Sequence, residues 1–279
     1  MANPAYALCT ALIWAITSIY YRGFLSKFDF LNFNLLRTSV AAAALAIPAV
    51  YFWGSSGLGF AVLSGVITLA CGDSFFLLSL RDVGASVASP VAYTYVLMIQ
   101  FLGVAVGQVI PFANFVSAAM VVAGVYLLSK GGEAKRRPKG IAFAICAAIV
   151  WTIGQEFVQT STNAGGNFVA VAFTRDLSAA LALAVAVLLT RGTRPWPSGL
   201  SPKEYGMMCG FVISDLAVGS TLFVYSVSSI GVALTVILTS LSPLLTQLIA
   251  KALGKESPSP RDFAGGLLIV AALVLAVAT

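Results

Sequence analysis

The sequence contains no histidine. That absence removes imidazole bases, histidine-ligated haem and the usual zinc sites together. Charge is scarce as well. Only 9% of the 279 residues are Asp, Glu, Lys or Arg, against roughly 25% in a soluble domain. So few charges cannot cover a water-facing surface. With 59% hydrophobic residues, the solvent must be lipid over most of the chain. Cysteine is sparse and unpatterned. Cys9, Cys71, Cys146 and Cys209 fall in separate apolar runs without a CxxC, which reads as small core hydrophobes and argues against disulfides or metal. No G-x-x-x-x-G-K-[ST] loop occurs, so direct ATP drive has no support. The connections are short and poor in acids, which argues against a membrane-embedded enzyme. No enzyme activity and no cofactor are expected.

Long apolar runs are what the chain does have. A spanning helix needs about 20 mostly apolar residues. Ten segments qualify: 5–21, 31–53, 58–80, 84–108, 111–129, 139–160, 167–190, 203–228, 230–251 and 262–279. The fold class expected is all-α integral membrane. The third and fourth segments, and the eighth and ninth, are separated only by "LRDVG" and "SVSSIG", so each pair should form a tight antiparallel hairpin. The opening run "MANPAYALCTALIWAITSIYYR" lacks a basic leader and reads as a first helix rather than a cleaved signal.

Fourteen of the sixteen Lys and Arg residues follow segments 1, 3, 5, 7 and 9. The connections after segments 2, 4, 6 and 8 ("WGSSGLG", "GQVIPFAN", "TSTNAGGN", "SVSSIG") carry none. Cytoplasmic loops are enriched in Lys and Arg. The odd connections are therefore expected in the cytoplasm, with both termini outside a plasma (inner) membrane. The net charge of +6 is then a topology signal with some attraction to anionic lipid. Nucleic acid is not an expected partner, because no basic domain interleaved with aromatics exists. The partners expected are a small-molecule substrate and the bilayer, for a monomer or homodimer.

The chain also repeats itself. Cys9 and Trp14 match Cys146 and Trp151 at an offset of 137, and Arg37 matches Arg175 at 138. Gly72, Phe76, Ser79, Gly84, Gln100 and Gly107 match Gly219, Phe223, Ser226, Gly231, Gln247 and Gly254 at 147. Phe115 and Ala123 match Phe263 and Ala271 at 148. The offset grows only where a connection lengthens, as duplication requires. Residues 1–130 and 139–279 would each hold five helices, an odd number, so the second half must insert upside down. Inverted repeats of this kind build secondary transporters with a site between halves near the midplane.

Over essentially its whole length the chain resembles the EamA-like ten-helix members of the drug/metabolite transporter superfamily. The likeness rests on "SIGVALTVILTSLSPLLTQLIA" (229–250), its counterpart "DVGASVASPVAYTYVLMIQFLG" (82–103), and the early Trp14 and Trp151. The resemblance implies export of amino acids or related metabolites and places the fifth and tenth helices at the periphery. It also implies cytoplasmic termini, opposite to the charge distribution, which is preferred here.

Ionisable groups inside a membrane are costly and mark function by default. They are Arg37, Asp73, Glu156, Arg175 with its neighbour Asp176, and Asp215. Arg37 falls ~9 Å below one surface and Arg175 ~12 Å below the other, while Asp73 and Asp215 fall near mid-membrane. Each has a plain structural alternative. Arg37 can snorkel to its interface, Arg175 can pair with Asp176 or Glu156, and Asp73 can bond a neighbouring helix. Trp14 and Trp151 either line a cavity or anchor packing. Trp151 with Gln155, and Thr152 with Glu156, are spaced four apart and form a polar stripe. Of Tyr93 and Tyr95 only one can point inward. Gln100 and Gln247 suit bonds between helices. Pro90 and Pro243 deprive the carbonyls of Ser86 and Thr239 of donors, giving either a gating hinge or a static bend. Pro90 follows Gly84 by six residues and Pro243 follows Gly231 by twelve, so the two kinks should differ in height by about two turns.

The function expected is secondary active export of a small polar metabolite such as an amino acid, by alternating access and with possible proton coupling. The alternative is a channel or a non-transporting scaffold. A channel usually builds symmetric rings, and Asp73 and Asp215 are not repeat-equivalent.

Overall fold

The structure, a computed structural model, describes residues 4–25, 29–54, 56–129, 137–191, 200–253 and 259–278. These are helical almost throughout. The helices are α1 (Ala5–Leu25), α2 (Phe30–Tyr51), α3 (Leu58–Val83), α4 (Ala85–Ala92 and Tyr95–Ala105), α5 (Phe112–Leu128), α6 (Pro138–Asn163), α7 (Phe168–Arg191), α8 (Pro202–Ile230), α9 (Val232–Thr239 and Ser242–Ala252) and α10 (Pro260–Ala278). By length and apolar composition, eight helices among the described residues can cross a membrane. The two apolar runs that fall short are Ala5–Tyr21 in α1 and Phe112–Leu128, which is α5. Large apolar side chains such as Ile47, Val109, Leu189 and Leu267 face outward, as a lipid-facing surface requires.

Local chemistry explains the helix starts. Asp29 caps α2 by accepting the Leu31 N–H at 3.0 Å. Ser201 and Glu204 form a capping box at the head of α8, with Pro202 in its first turn. The two predicted hairpins each turn on one glycine. Gly84 (φ 74°) and Gly231 (φ 79°) adopt a positive φ that residues with a Cβ rarely hold.

Two features depart from the sequence reading. First, the breaks in α4 and α9 lie at Tyr93–Thr94 and at Ser240–Leu241, the same distance beyond Gly84 and Gly231. The expected two-turn difference is absent. Pro90 sits inside the first short helix, and the turn after it is tightened by Thr94 N–H and Oγ1 both bonding the Val91 carbonyl. Pro243 instead opens the second short helix, where a missing N–H costs nothing. Different prolines thus serve one break. Second, α3 and α8 each carry a π-helical stretch, Gly65–Gly72 and Ile213–Ser220. The Asp73 N–H bonds the carbonyl of Thr68, five residues back. Such wide turns concentrate at functional sites.

The halves interlock. Helix α2 lies along α7, α3 along α6 and α7, and α1 along α8 and α9. Helices α5 and α10 pack on each other through Gly124 and Gly265; a Cβ on Gly124 would stand 2.9 Å from the Gly265 carbonyl. The cysteine expectation needs correcting. All four thiols are free, and Cys9 and Cys71 are exposed rather than in the core.

Candidate functional site

Arg37 sits seven residues inside α2, held among aromatic rings. Its guanidinium carbon lies 5.0 Å from the Tyr21 ring centre and 5.9 Å from that of Phe33. Nη2 donates to Asp215 Oδ2 at 2.9 Å, and Nη1 to Asp73 Oδ2 at 3.3 Å. Asn34, one turn earlier, accepts from Nη1 at 3.4 Å and donates to the Leu69 carbonyl at 2.7 Å. The bond to Asp215 joins the two halves. Snorkelling is thereby replaced by a buried ion cluster.

Both carboxylates are held from further sides. Asp215, inside the π-helical stretch of α8, accepts from Tyr21 Oη at 2.8 Å and Thr17 Oγ1 at 3.2 Å. Asp73, at the end of the stretch in α3, accepts from Trp151 Nε1 at 3.1 Å. The Trp151 ring packs against Phe76 at 5.1 Å and Tyr95 at 5.5 Å. Tyr95 is buried and meets Trp151. Tyr93, in the α4 break, packs on Tyr95, with centroids 6.0 Å apart. Trp14 donates to the Asp215 backbone carbonyl at 3.3 Å and stacks on Phe223 at 5.6 Å. The Trp–Phe contacts are repeat-matched, Trp14–Phe223 with Trp151–Phe76. So are the glycines under the indoles, Gly219 below Trp14 and Gly72 below Trp151.

Arg175 also sits seven residues inside its helix, so the two arginines lie equally deep, ~10 Å from the start of each. It forms neither expected pair. Its Nε donates to Ser64 Oγ at 3.0 Å and its Nη1 to Ser220 Oγ at 3.2 Å. Ser64 belongs to the first half, so this bond too crosses between halves. Glu156 instead accepts from Gln108 Nε2, and Gln155 is buried beside it. These two stand apart from the ion cluster, further along α6. Gln100 bonds the Ala233 carbonyl at 3.1 Å and Gln247 the Leu128 carbonyl at 2.8 Å, linking helices.

The structure thus brings together Trp14, Arg37, Asp73, Tyr95, Trp151 and Asp215, with Tyr93 and Arg175 adjoining and Gln155 and Glu156 separate. Sequence reasoning missed Thr17, Tyr21, Asn34, Ser64 and Ser220. Ser220 had a signal, since it is the repeat mate of Asp73. Tyr21 had none, because a tyrosine near a helix end reads equally as an interface anchor.

The sequence profile of the EamA-like transporter family matches residues 4–130 and again 138–278. The chain belongs to the EamA-like transporter family. A search of curated proteins returns no match. A solved structure titled only "Crystal structure of protein" has a TM-score of 0.83 at 18% identity, covering 98% of this chain and 97% of that one. That likeness establishes the fold. This EamA-like chain is accordingly a multi-pass membrane protein of a transporter family.

Proposed function

We propose that the protein is a secondary carrier that exports a small polar metabolite, such as an amino acid, by alternating access between two inverted five-helix halves. All ten helices cross the inner membrane in this reading. The observation that carries it is the ion cluster of Arg37, Asp73 and Asp215, built from both halves at the π-helical stretches. A zwitterion suits such a site. Its carboxylate can compete for Arg37 and its ammonium for Asp73 or Asp215, with the Trp151 and Tyr95 rings beside them. Rocking of one half against the other would break the Arg37–Asp215 bond and expose those groups.

The test is counterflow of radiolabelled amino acids in proteoliposomes, with a lock across the halves. Ser18 Oγ and Thr246 Oγ1 lie 3.1 Å apart on α1 and α9. S18C/T246C, made with the four native cysteines replaced, should show saturable counterflow when reduced and none when oxidised. Flux that does not saturate, or that survives the oxidised lock, would sink alternating access and favour a channel.

A further inference from the structure

Asp176 follows Arg175 in α7 and is 0% exposed. Neither of its carboxylate oxygens has a donor among the described residues. Its neighbour Arg175 is bonded to Ser64 and Ser220 instead. Four charged groups lie within electrostatic reach of Asp176: Arg175 on its own helix, Arg37 on α2, Asp73 on α3 and Asp215 on α8. Other ionisable groups on the helices packed against α7 include Glu156, whose Oε1 accepts from Gln108 while its Oε2 has no donor among the described residues. They also include Tyr225, which packs on Tyr6 and Phe168, the half-buried Cys146 and Cys209, and the exposed Cys71 and Tyr51.

Two physical effects disfavour a charge on Asp176. An ionised carboxylate removed from water without a donor carries one of the largest desolvation penalties in a protein. In addition, the buried cluster sets two arginines against three carboxylates, an excess of one negative charge inside lipid. A single proton on Asp176 resolves both. Asp73 and Asp215 need none, because each accepts from an arginine and at least one other donor.

We propose that Asp176 holds a proton in this conformation and is the proton-binding site of the carrier. Its use in coupling rests on the transporter reading above; its protonation does not. Loss of the proton places a bare negative charge before both arginines. It then competes with Asp215 for Arg37 and with Ser64 for Arg175, the two arginine bonds that cross between the halves. Proton binding therefore holds the halves together and proton release loosens them. The repeat supports the site as an addition to the plan. The mate of Asp176 is Thr38, whose hydroxyl simply bonds the Asn34 carbonyl at 3.0 Å.

Infrared spectroscopy of purified protein in lipid reads the proton directly. The wild type should show the carbonyl stretch of a protonated carboxylic acid at neutral pH, and the wild-type-minus-variant difference spectra for D176N and D176T should each contain that band. D176N keeps the shape of the neutral acid, so it carries the test if D176T does not fold. Absence of the band from the wild type, or from its difference spectrum against D176N, overturns the proposal, and a band from Glu156 cancels in that difference. For coupling, a pH gradient should accelerate amino-acid flux in wild type, whereas folded D176N, fixed in the neutral form that holds the halves together, should carry little flux with or without a gradient. Wild-type flux and pH response in D176N would overturn the coupling role. A wild type without any flux would defeat the transporter reading and leave the infrared result standing.

Discussion

The guanidinium of Arg37 is shared between carboxylates from different halves, and that arrangement fixes what its removal does. Taking away one partner of a buried pair strands the other and costs about 3–5 kcal/mol, whereas replacing both with apolar groups of similar size is often neutral. Asp215 would keep Tyr21 and Thr17 as donors after Arg37→Met, so the loss should lie near the lower end, about 3 kcal/mol. Asp215→Leu leaves Arg37 with Asp73 and Asn34 and should also destabilise. The double variant should cost clearly less than the two singles added, as measured by denaturant unfolding in mixed micelles. Strict additivity would mean that the pair is not coupled. The sequence marked Arg37, Asp73 and Asp215 individually, because ionisable groups in apolar runs are conspicuous. It did not mark them as one cluster. Pairing depends on which helices touch, and spacing along the chain carries no information about contacts between α2 and α8.

Helices were far more legible than their defects. Apolar length placed every element to within a few residues, and the glycines of both hairpins were visible. The π-helical stretches were not, because "GVITLACG" and "ISDLAVGS" have nothing that separates a wide turn from an ordinary one. Gly72 shows what the widened turn accommodates. A Cβ there would fall on the Trp151 indole, whose N–H holds Asp73, while a Cβ on the equivalent Gly219 would stand 3.1 Å from Trp14 Nε1. Overpacking costs about 1–3 kcal/mol, and alanine recovers up to ~1 kcal/mol of helix propensity. Gly72→Ala should therefore lower the Tm by several degrees, at about 2–4 °C per kcal/mol. Gly219→Ala should change it little. Equal shifts, measured by thermal unfolding in detergent, would mean that Trp151 moves aside freely.

At the level of the whole molecule, duplication was readable because rare residues recur at slowly growing offsets. The same pairs reappear as matched contacts, Trp14 over Gly219 and Trp151 over Gly72. Orientation in the membrane is a separate question, and only charge bears on it. Arg81 at the end of α3, Lys139 and Lys203 near the starts of α6 and α8, and Lys251 near the end of α9 lie at odd-numbered connections. The even-numbered connections hold no Lys or Arg. Short-loop Lys and Arg set orientation, so a reporter fused after Thr279 should read as external, although the family resemblance points the other way. An internal signal would turn the bundle over. The Arg37–Asp215 bond would then lie toward the outer face and Arg175–Ser64 toward the inner one. Since Asp176 adjoins Arg175 in α7, the same result would put the proposed proton site toward the cytoplasmic side instead of the external side.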